Sequence, residues 1–178
     1  MKFDAIIFDF DGVIADSELV ANIALAEALT GLGSPHTLED ALDHYCGRRW
    51  SDCLPLIEAR LGRAVPEDFL VALVDDAVAR LSVEVAAIEG VGPFLAAHAH
   101  RARAIASSSA VEWLDACLVR FGLDHHFGDH VYSAAGIARG KPHPDIYLHV
   151  ARALGAAPER ALVIEDSPTG VAAGVAAG

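Results

Sequence analysis

The sequence predicts an α/β fold: a doubly wound, Rossmann-like parallel sheet with a helical domain inserted after its first strand. Three observations lead to this prediction. Short apolar runs alternate with helical patterns, residues 17–87 contain helical patterns only, and polar side chains follow the apolar runs. Strands that alternate with helices favour parallel pairing through right-handed crossovers. We therefore expect a core domain of residues 1–16 and 88–178 and a helical domain of residues 17–87.

The first half of the chain is predicted to contain one strand and four helices. Residues 3–8 are apolar and β-prone, which is typical of a buried strand. Ser17 provides a polar cap for the first helix, and Thr37 with Asp40 resembles a capping box for the second. Pro66 stands where the fourth helix would begin. The predicted helices cover residues 17–33, 37–47, 51–62 and 67–81.

The second half is predicted to alternate strands with helices, as a doubly wound core requires. The predicted strands cover residues 102–106, 130–134 and 160–165. The predicted helices cover residues 93–102, 111–122, 144–155 and 167–178. This order gives each strand a crossover helix before the next strand.

The composition limits the kinds of partner. The chain has 178 residues, of which 53% are hydrophobic, so it can bury a sizeable core. Its formal net charge of -12 makes nucleic acid a poor ligand, because phosphate backbones are bound through Lys and Arg. A small phosphorylated metabolite remains compatible with this charge, since a metal ion and one or two placed cations can form a local anion site. We expect a monomer or a weak homodimer.

The cysteines and the N-terminus indicate a cytoplasmic protein. Cys46, Cys53 and Cys117 are odd in number and lack C-x-x-C spacing, so we expect reduced, buried thiols. The N-terminus lacks the cationic start and apolar run of a signal peptide. No stretch is long and apolar enough to span a membrane, so we expect no membrane partner.

Polar residues follow three of the predicted strands, and a lysine lies in a nearby loop. Because ligands bind beyond the carboxyl ends of the strands in open parallel sheets, we expect these groups to meet at one edge. They are Asp9 with Asp11, Ser107, Lys141, and Glu165 with Asp166.

The two aspartates of the first group are spaced for paired chemistry. Asp9 and Asp11 can point to the same side, one serving as nucleophile and metal ligand and the other handling protons. Gly12 permits the tight turn that follows. The alternative is an Asp-Gly hairpin turn after an edge strand. The helix that starts at Ser17, in place of a returning strand, counts against this alternative.

The acidic pair after the last strand predicts a cation site. Glu165 and Asp166 beside Asp9 and Asp11 would repel one another, and a hard divalent cation would remove the repulsion. A set of oxygen ligands suits magnesium. The alternative is that Asp166 or Ser167 only caps the next helix, and capping by Ser167 is compatible with metal binding by Asp166.

Lys141 and Ser107 are candidates for binding phosphate. The ammonium of Lys141 could neutralise a phosphate oxygen and the nucleophilic carboxylate, and its alternative is a solvated loop lysine. The hydroxyl of Ser107, with backbone N–H groups near the next helix, can hold a phosphate oxygen. The alternative there is ordinary helix capping by Ser108 or Ser109.

Residues 48–50 are candidates for substrate specificity. The guanidinium groups of Arg48 and Arg49 could grip a phosphate or a carboxylate, and Trp50 could stack on a sugar. The alternative is a surface turn with solvated arginines.

These residues together resemble the haloacid dehalogenase superfamily of phosphatases. The resemblance covers all four motifs of the superfamily in order: D-x-D-G-V at residues 9–13, Ser107, Lys141 within KPHPDIY, and Glu165-Asp166 within VIEDSPTGV. Residues 17–87 look like the α-helical cap of β-phosphoglucomutase and phosphoglycolate phosphatase relatives. Family members continue with a further strand, so we expect the family's C-terminal edge strand to be absent here.

The resemblance implies a mechanism. Asp9 would attack phosphorus and form an aspartyl-phosphate, and Asp11 would serve first as acid and then as base. Mg²⁺ would bind the carboxylates of Asp9 and Asp166 and the backbone carbonyl of Asp11, with Glu165 nearby or acting through water. The phosphoryl oxygens would be held by Ser107 and Lys141. The implied substrate is a small phosphorylated metabolite such as a sugar phosphate or phosphoglycolate.

Two other functions stay open, a sugar-phosphate mutase and a non-catalytic binding protein, whereas dehalogenation is disfavoured. Sugar-phosphate mutases of the family carry a histidine in the cap, whereas the matching position here is Ala21, which weakens that alternative. Dehalogenases of the family lack the second aspartate of the first motif, which this chain has as Asp11. A non-catalytic metabolite-binding protein with the same fold is the alternative from another class. The complete set of four motifs argues against it.

Overall fold

A four-stranded parallel sheet forms the centre of the molecule. The computed structural model describes residues 3–178. The strands are β1 (Ala5–Phe8), β2 (Ala102–Ser107), β3 (Val131–Ser133) and β4 (Ala161–Ile164). Their spatial order is β3-β2-β1-β4, and every neighbouring pair is parallel. The predicted fold class is confirmed.

Alternation along β1 gives the sheet two buried faces. Ile6 and Phe8 belong to one hydrophobic cluster, in which they pack with Leu95 and Leu114. Ile7 points the other way and belongs to a second cluster that includes Ile146. Since successive side chains of a strand face opposite sides, helices cover both faces and the sheet is doubly wound.

Within residues 3–178, eight helices accompany the strands, close to their predicted positions. Those of the first half are α1 (Glu18–Gly31), α2 (Leu38–Tyr45), α3 (Trp50–Leu61) and α4 (Phe69–Glu84). Those of the second half are α5 (Val91–Ala97), α6 (Val111–Phe121), α7 (Asp145–Ala153) and α8 (Pro168–Ala177). The prediction for α5 was wrong at both ends: the helix begins at Val91, and it ends at Ala97 because residues 98–100 form a turn ahead of β2. Three short 3₁₀ turns, at residues 124–126, 134–136 and 158–160, were not predicted.

Helices α1–α4 form a helical insert between β1 and β2. The insert has a hydrophobic cluster of its own, built around Leu29, Ile57 and Leu73. Thr37 accepts a hydrogen bond from the Asp40 backbone N–H, and the Asp40 side chain accepts one from the Thr37 backbone, so the predicted capping box is confirmed. The two connections to the sheet run side by side, at residues 14–16 and 86–88.

The cysteine side chains are free thiols. Cys53 and Cys117 are buried, and Cys46 is partly exposed. Within the described part of the chain, every helix is too short or too polar to cross a lipid bilayer.

Neighbouring residues of α6 provide a test of the core. Leu118 is 2% exposed and Val119 is 67% exposed. Leu118→Ala is expected to lower the free energy of unfolding by about 2–5 kcal/mol, because it leaves a cavity between α6 and the sheet. Val119→Ala is the control and should change it by less than about 0.5 kcal/mol. Urea unfolding measures both, and equal losses would contradict the assigned packing.

Candidate active site

The polar residues predicted from the sequence lie at the carboxyl edge of the sheet. Asp9 directly follows β1, and its backbone N–H donates to the carbonyl of Ile164 at 2.9 Å, which extends the pairing of β1 with β4. Glu165 and Asp166 follow β4, and Ser107 is the last residue of β2. The parallel topology therefore brings together side chains that are distant in sequence.

A buried lysine joins two of the carboxylates. The Nζ atom of Lys141 lies 2.8 Å from Oδ1 of Asp9 and 2.5 Å from Oε1 of Glu165. Lys141 is only 2% exposed, so the alternative of a solvated loop lysine is wrong. Burial opposes the charged form, but the two carboxylates outweigh it and raise the pKa of Lys141. The site therefore contains a permanent ammonium group.

Both oxygens of the Glu165 carboxylate accept hydrogen bonds from groups of the chain itself. Its Oε1 atom accepts hydrogen bonds from Lys141 and from the Tyr147 hydroxyl, the latter at 2.9 Å. Its Oε2 atom accepts from the backbone and the hydroxyl of Ser167, at 3.0 and 2.9 Å. Burial of Glu165 raises its pKa, but the charge of Lys141 outweighs this effect and holds the pKa below its usual value. This arrangement favours Glu165 as a residue that fixes Lys141.

The Ser167 hydroxyl also caps α8. It accepts a hydrogen bond from the backbone N–H of Gly170 at 3.1 Å, while it donates to Glu165. Ser167 therefore caps α8, which is compatible with metal binding by Asp166.

The Asp11 carboxylate is held by serines. Its Oδ1 atom accepts from Ser17 at 2.6 Å, and its Oδ2 atom accepts from Ser109 at 2.6 Å and from Ser107 at 3.4 Å. Ser17 stands at the start of α1 without making a side-chain cap, and α6 begins after Ala110. The capping roles that the sequence suggested for Ser17 and Ser109 are therefore wrong, because both hydroxyls are directed to Asp11.

Three acidic side chains can converge on one ion. Asp9, Glu165 and Asp166 each offer an oxygen atom, and these atoms lie within 4.8 Å of one another. Asp166 packs directly against Gly12, where a Cβ atom would collide with its carboxylate. Burial raises the pKa of Asp166, and the charge of Glu165 adds to the shift. Within residues 3–178 this is the single group of its kind, and its oxygen ligands fit a hard divalent cation.

Opposing effects act on the pKa of Asp9. Burial raises its pKa, Lys141 lowers it, and the charges of Glu165 and Asp11 raise it further. One ammonium faces more than one carboxylate here, so a bound cation would favour the ionised form of Asp9.

A cavity of about 290 Å³ opens above Asp9 and Asp11, between the sheet edge and the helical insert. Arg48 and Trp50 line it, as do Glu18 and Asn22 of α1. The remaining wall is largely apolar and comes from all four helices of the insert, from the start of α6 and from the turn after β3. The cavity therefore joins a polar site at the sheet edge to an apolar interior.

Arg49, the third predicted specificity residue, also borders the cavity, but its guanidinium is engaged elsewhere. It forms an ion pair with Asp52 and donates to the carbonyls of Ala134 and Ile137. Its side chain therefore links the helical insert to the loop after β3.

Glu18 is a polar group of the cavity that sequence reasoning missed. Its Oε2 atom accepts from the Asn22 side-chain amide at 2.7 Å. Burial, followed by the charge of Asp11, raises the pKa of Glu18 to about 7. Glu18 stands in the first turn of α1, where an acidic residue is ordinary, so the sequence held no further signal. Tyr147 was missed for a similar reason, because it lies on the apolar face of α7.

Cys46 lies next to Glu18 in the wall of the cavity. Burial and the charge of Glu18 raise the pKa of this thiol to about 12. A protonated thiol is a weak nucleophile, so Cys46 is a structural neighbour of the site.

Comparison with known proteins identifies a family and similar enzymes. The family model of haloacid dehalogenase-like hydrolases matches residues 3–178. The chain is 25% identical to a 6-phosphogluconate phosphatase of Escherichia coli, over 99% of this chain and 80% of that protein. It is 30% identical to a phosphorylated carbohydrates phosphatase of Thermotoga maritima, over 98% and 82%. A crystal structure of a Deinococcus radiodurans hydrolase of the family, with bound phosphate and sodium, has 37% identity and a TM-score of 0.72, covering 99% of this chain and 78% of that chain.

The raised pKa of Glu18 predicts a pH-dependent stability. The pKa of Glu18 is ordinarily 4.5 and rises to about 7 in the folded protein. In the pH range between these two values, ionisation of Glu18 favours the unfolded state, so the stability of the fold falls as the pH rises. Glu18→Gln removes this loss. We therefore compare the free energy of unfolding of the variant with that of the parent. The difference in favour of the variant should increase by on the order of 1–3 kcal/mol between about pH 5 and about pH 8.

Thermal unfolding in the presence of a chelator measures this difference. Glu112→Gln is the matched control, because Glu112 is an exposed acid in the first turn of α6. A pH-independent difference between Glu18→Gln and the parent would contradict the assigned environment of Glu18.

Proposed function

The chain belongs to the haloacid dehalogenase-like hydrolases, and we propose that it is a Mg²⁺-dependent phosphatase of small phosphorylated metabolites, in particular phosphorylated carbohydrates. Its relatives are named phosphatases, which identifies the chain as a phosphoric monoester hydrolase. The observation that carries the proposal is the buried Lys141 between Asp9 and Glu165, beside Asp166. A fixed ammonium next to converging carboxylates suits a phosphoryl group with a divalent cation.

The acidic cluster supports a Mg²⁺ site. Asp9 and Asp166 would hold the ion with their carboxylates, together with the backbone carbonyl of Asp11, while Glu165 would act nearby because its oxygens are already used. Mg²⁺, when bound, would neutralise the charge of the nucleophile and of the phosphoryl oxygens. The excess of carboxylates over ammonium groups supports this assignment.

In the first half-reaction, Asp9 is the nucleophile. A carboxylate oxygen of Asp9 forms a bond to phosphorus, the bond between phosphorus and the ester oxygen breaks, and Asp11 gives its proton to the leaving oxygen. Lys141 and Ser107 hold the phosphoryl oxygens during this transfer. The product is an alcohol, and an aspartyl-phosphate remains on the enzyme.

In the second half-reaction, water releases the phosphate. Asp11 takes a proton from the water, whose oxygen attacks phosphorus and frees the Asp9 carboxylate. The hydroxyls of Ser17 and Ser109, each 2.6 Å from Asp11, hold its carboxylate in a fixed orientation for both proton transfers. This fixed position supports Asp11 as the residue that exchanges protons.

Residues 17–87 would act as a cap over this chemistry. The cavity of about 290 Å³ is sized for one small metabolite, and its wall combines residues of the helical insert with Asp9 and Asp11. Closure would exclude bulk water, and Arg48 and Trp50 would contact the leaving group. Ala21, which lines the cavity, leaves the position of the mutase histidine without a proton-transfer group, and this favours transfer to water.

The free thiols support a reducing location. Cys46, Cys53 and Cys117 are all unpaired with one another. We therefore place the reaction in the cytoplasm.

Asp9→Asn tests the proposed nucleophile. Turnover of a panel of phosphorylated carbohydrates with Mg²⁺ should fall by more than about 10³-fold, because an amide does not attack phosphorus. Circular dichroism should show an unchanged fold. Asp16→Asn is the control and should keep full activity, because Asp16 follows the same motif but its side chain is exposed. Substantial phosphate release by the Asp9→Asn variant would refute the nucleophile.

Mg²⁺ binding can be measured without turnover. Saturating Mg²⁺ should raise the midpoint of thermal unfolding by roughly 3–8 °C over the chelator-treated protein. Asp166→Asn should remove this rise, whereas Asp129→Asn, an exposed aspartate away from the cluster, should keep it. An unchanged Mg²⁺ response in the Asp166→Asn variant would rule out the assigned ligand.

A further inference from the structure

The link between α2 and α3 carries a contact that the proposed reaction does not use. This link, residues 46–49, lies over the sheet edge, and Arg49 is its last residue. The Arg49 side chain is 15% exposed and reaches from the helical insert to the loop after β3.

The guanidinium of Arg49 is engaged on two sides. Its Nε and Nη2 atoms donate to the two carboxylate oxygens of Asp52, at 2.8 and 3.1 Å. Its Nη1 atom donates to the carbonyls of Ala134 and Ile137, at 3.0 and 2.9 Å. A planar fork of donors matches such a bidentate arrangement, and an ammonium group would not reproduce it. Little donor capacity is left for a substrate.

The same ion pair rests on the backbone of Gly140. A Cβ atom at Gly140 would lie 2.7 Å from Nε of Arg49 and still closer to the Asp52 carboxylate. Gly140 is buried and directly precedes Lys141, whose ammonium lies 2.8 Å from Asp9. Glycine is therefore required here for close approach, and the contact reaches the loop that holds the ammonium.

We infer that Arg49, paired with Asp52, is a positioning residue that couples closure of the helical insert to the placement of Lys141. In the closed arrangement, the ion pair clamps the carbonyls of the turn after β3 and covers the backbone of Gly140. Opening the insert would withdraw the pair and free the loop. Full alignment of Lys141 with Asp9 would then require the closed state. This inference rests on the proposed phosphatase function.

Steady-state kinetics separate this role from substrate binding. Arg49→Ala should lower kcat by about 10- to 100-fold with p-nitrophenyl phosphate and with the best sugar phosphate alike, and should leave KM nearly unchanged. Arg80→Ala is the matched control, because Arg80 joins α1 to α4 through Glu27 and Asp76 without reaching the sheet. It should keep the parental kcat. A raised KM with an unchanged kcat for Arg49→Ala would overturn the inference.

Chemical rescue and a second variant address the contact itself. Millimolar guanidinium should restore part of the kcat of Arg49→Ala, since it can occupy the place between Asp52 and the two carbonyls. Gly140→Ala should lower kcat to a similar extent and should not respond to guanidinium. The double variant should lose no more than the larger single loss, because both changes break one contact. Additive losses, or the absence of rescue, would count against the coupling.

A measurement without turnover keeps the test independent of the proposed function. Arg139 is exposed, and its bond to Gly140 is a trypsin site next to the clamped loop. Cleavage at this bond, identified by mass spectrometry, should be several-fold faster in Arg49→Ala than in the parent and in Arg80→Ala. Equal rates in all three proteins would overturn the inference. A parent that hydrolyses no phosphate ester would refute the proposed function, whereas the proteolysis rates would still decide the contact.

Discussion

The site depends on one buried ammonium group held between carboxylates. An isolated charge of either sign would be costly at this depth, but Lys141 meets Asp9 and Glu165 at the same time. Removing Lys141 from these two carboxylates would leave uncompensated charges in the interior. Tyr147 and Ser167 complete the arrangement by donating to Glu165. Groups of the α7 and α8 regions therefore hold the Glu165 carboxylate against the Lys141 ammonium.

The sheet topology makes this arrangement available. β1 is central, with β2 on one side and β4 on the other, so the residues that follow these strands share one edge. The insert leaves the sheet directly after this edge, which places α1–α4 above the carboxylates. This placement explains why Asp9 and Asp11 lie at the polar side of the cavity. It also explains why Arg49 of the insert reaches the carbonyl of Ala134 after β3. Chemistry and enclosure thus come from the same point in the fold.

The sequence predicted those features that local patterns determine. The strands, the helices and the capping box of Thr37 have short-range signals, and the parallel pairing of the strands follows from their alternation with helices. The sequence indicated the pairing of Lys141 with Asp9, but it did not predict the hydrogen-bond partners of Ser17, Ser109 and Arg49. The hydroxyls of Ser17 and Ser109 look like helix caps, yet they bind Asp11, because the chain brings a carboxylate next to them. Arg49 looked like a residue for substrates, yet its donors meet carbonyls after β3, which only the folded chain places within reach.

The central claim is that Asp9, Lys141 and Asp166 surround a transferable phosphoryl group and a divalent cation. A crystal structure of the protein with Mg²⁺ and beryllium trifluoride, a tetrahedral analogue that bonds to carboxylates, tests this claim most directly. The account predicts the analogue on a carboxylate oxygen of Asp9, with Lys141 and Ser107 contacting its fluorides and the ion against Asp166. An unmodified Asp9, with the analogue or the ion bound at another place, would contradict it.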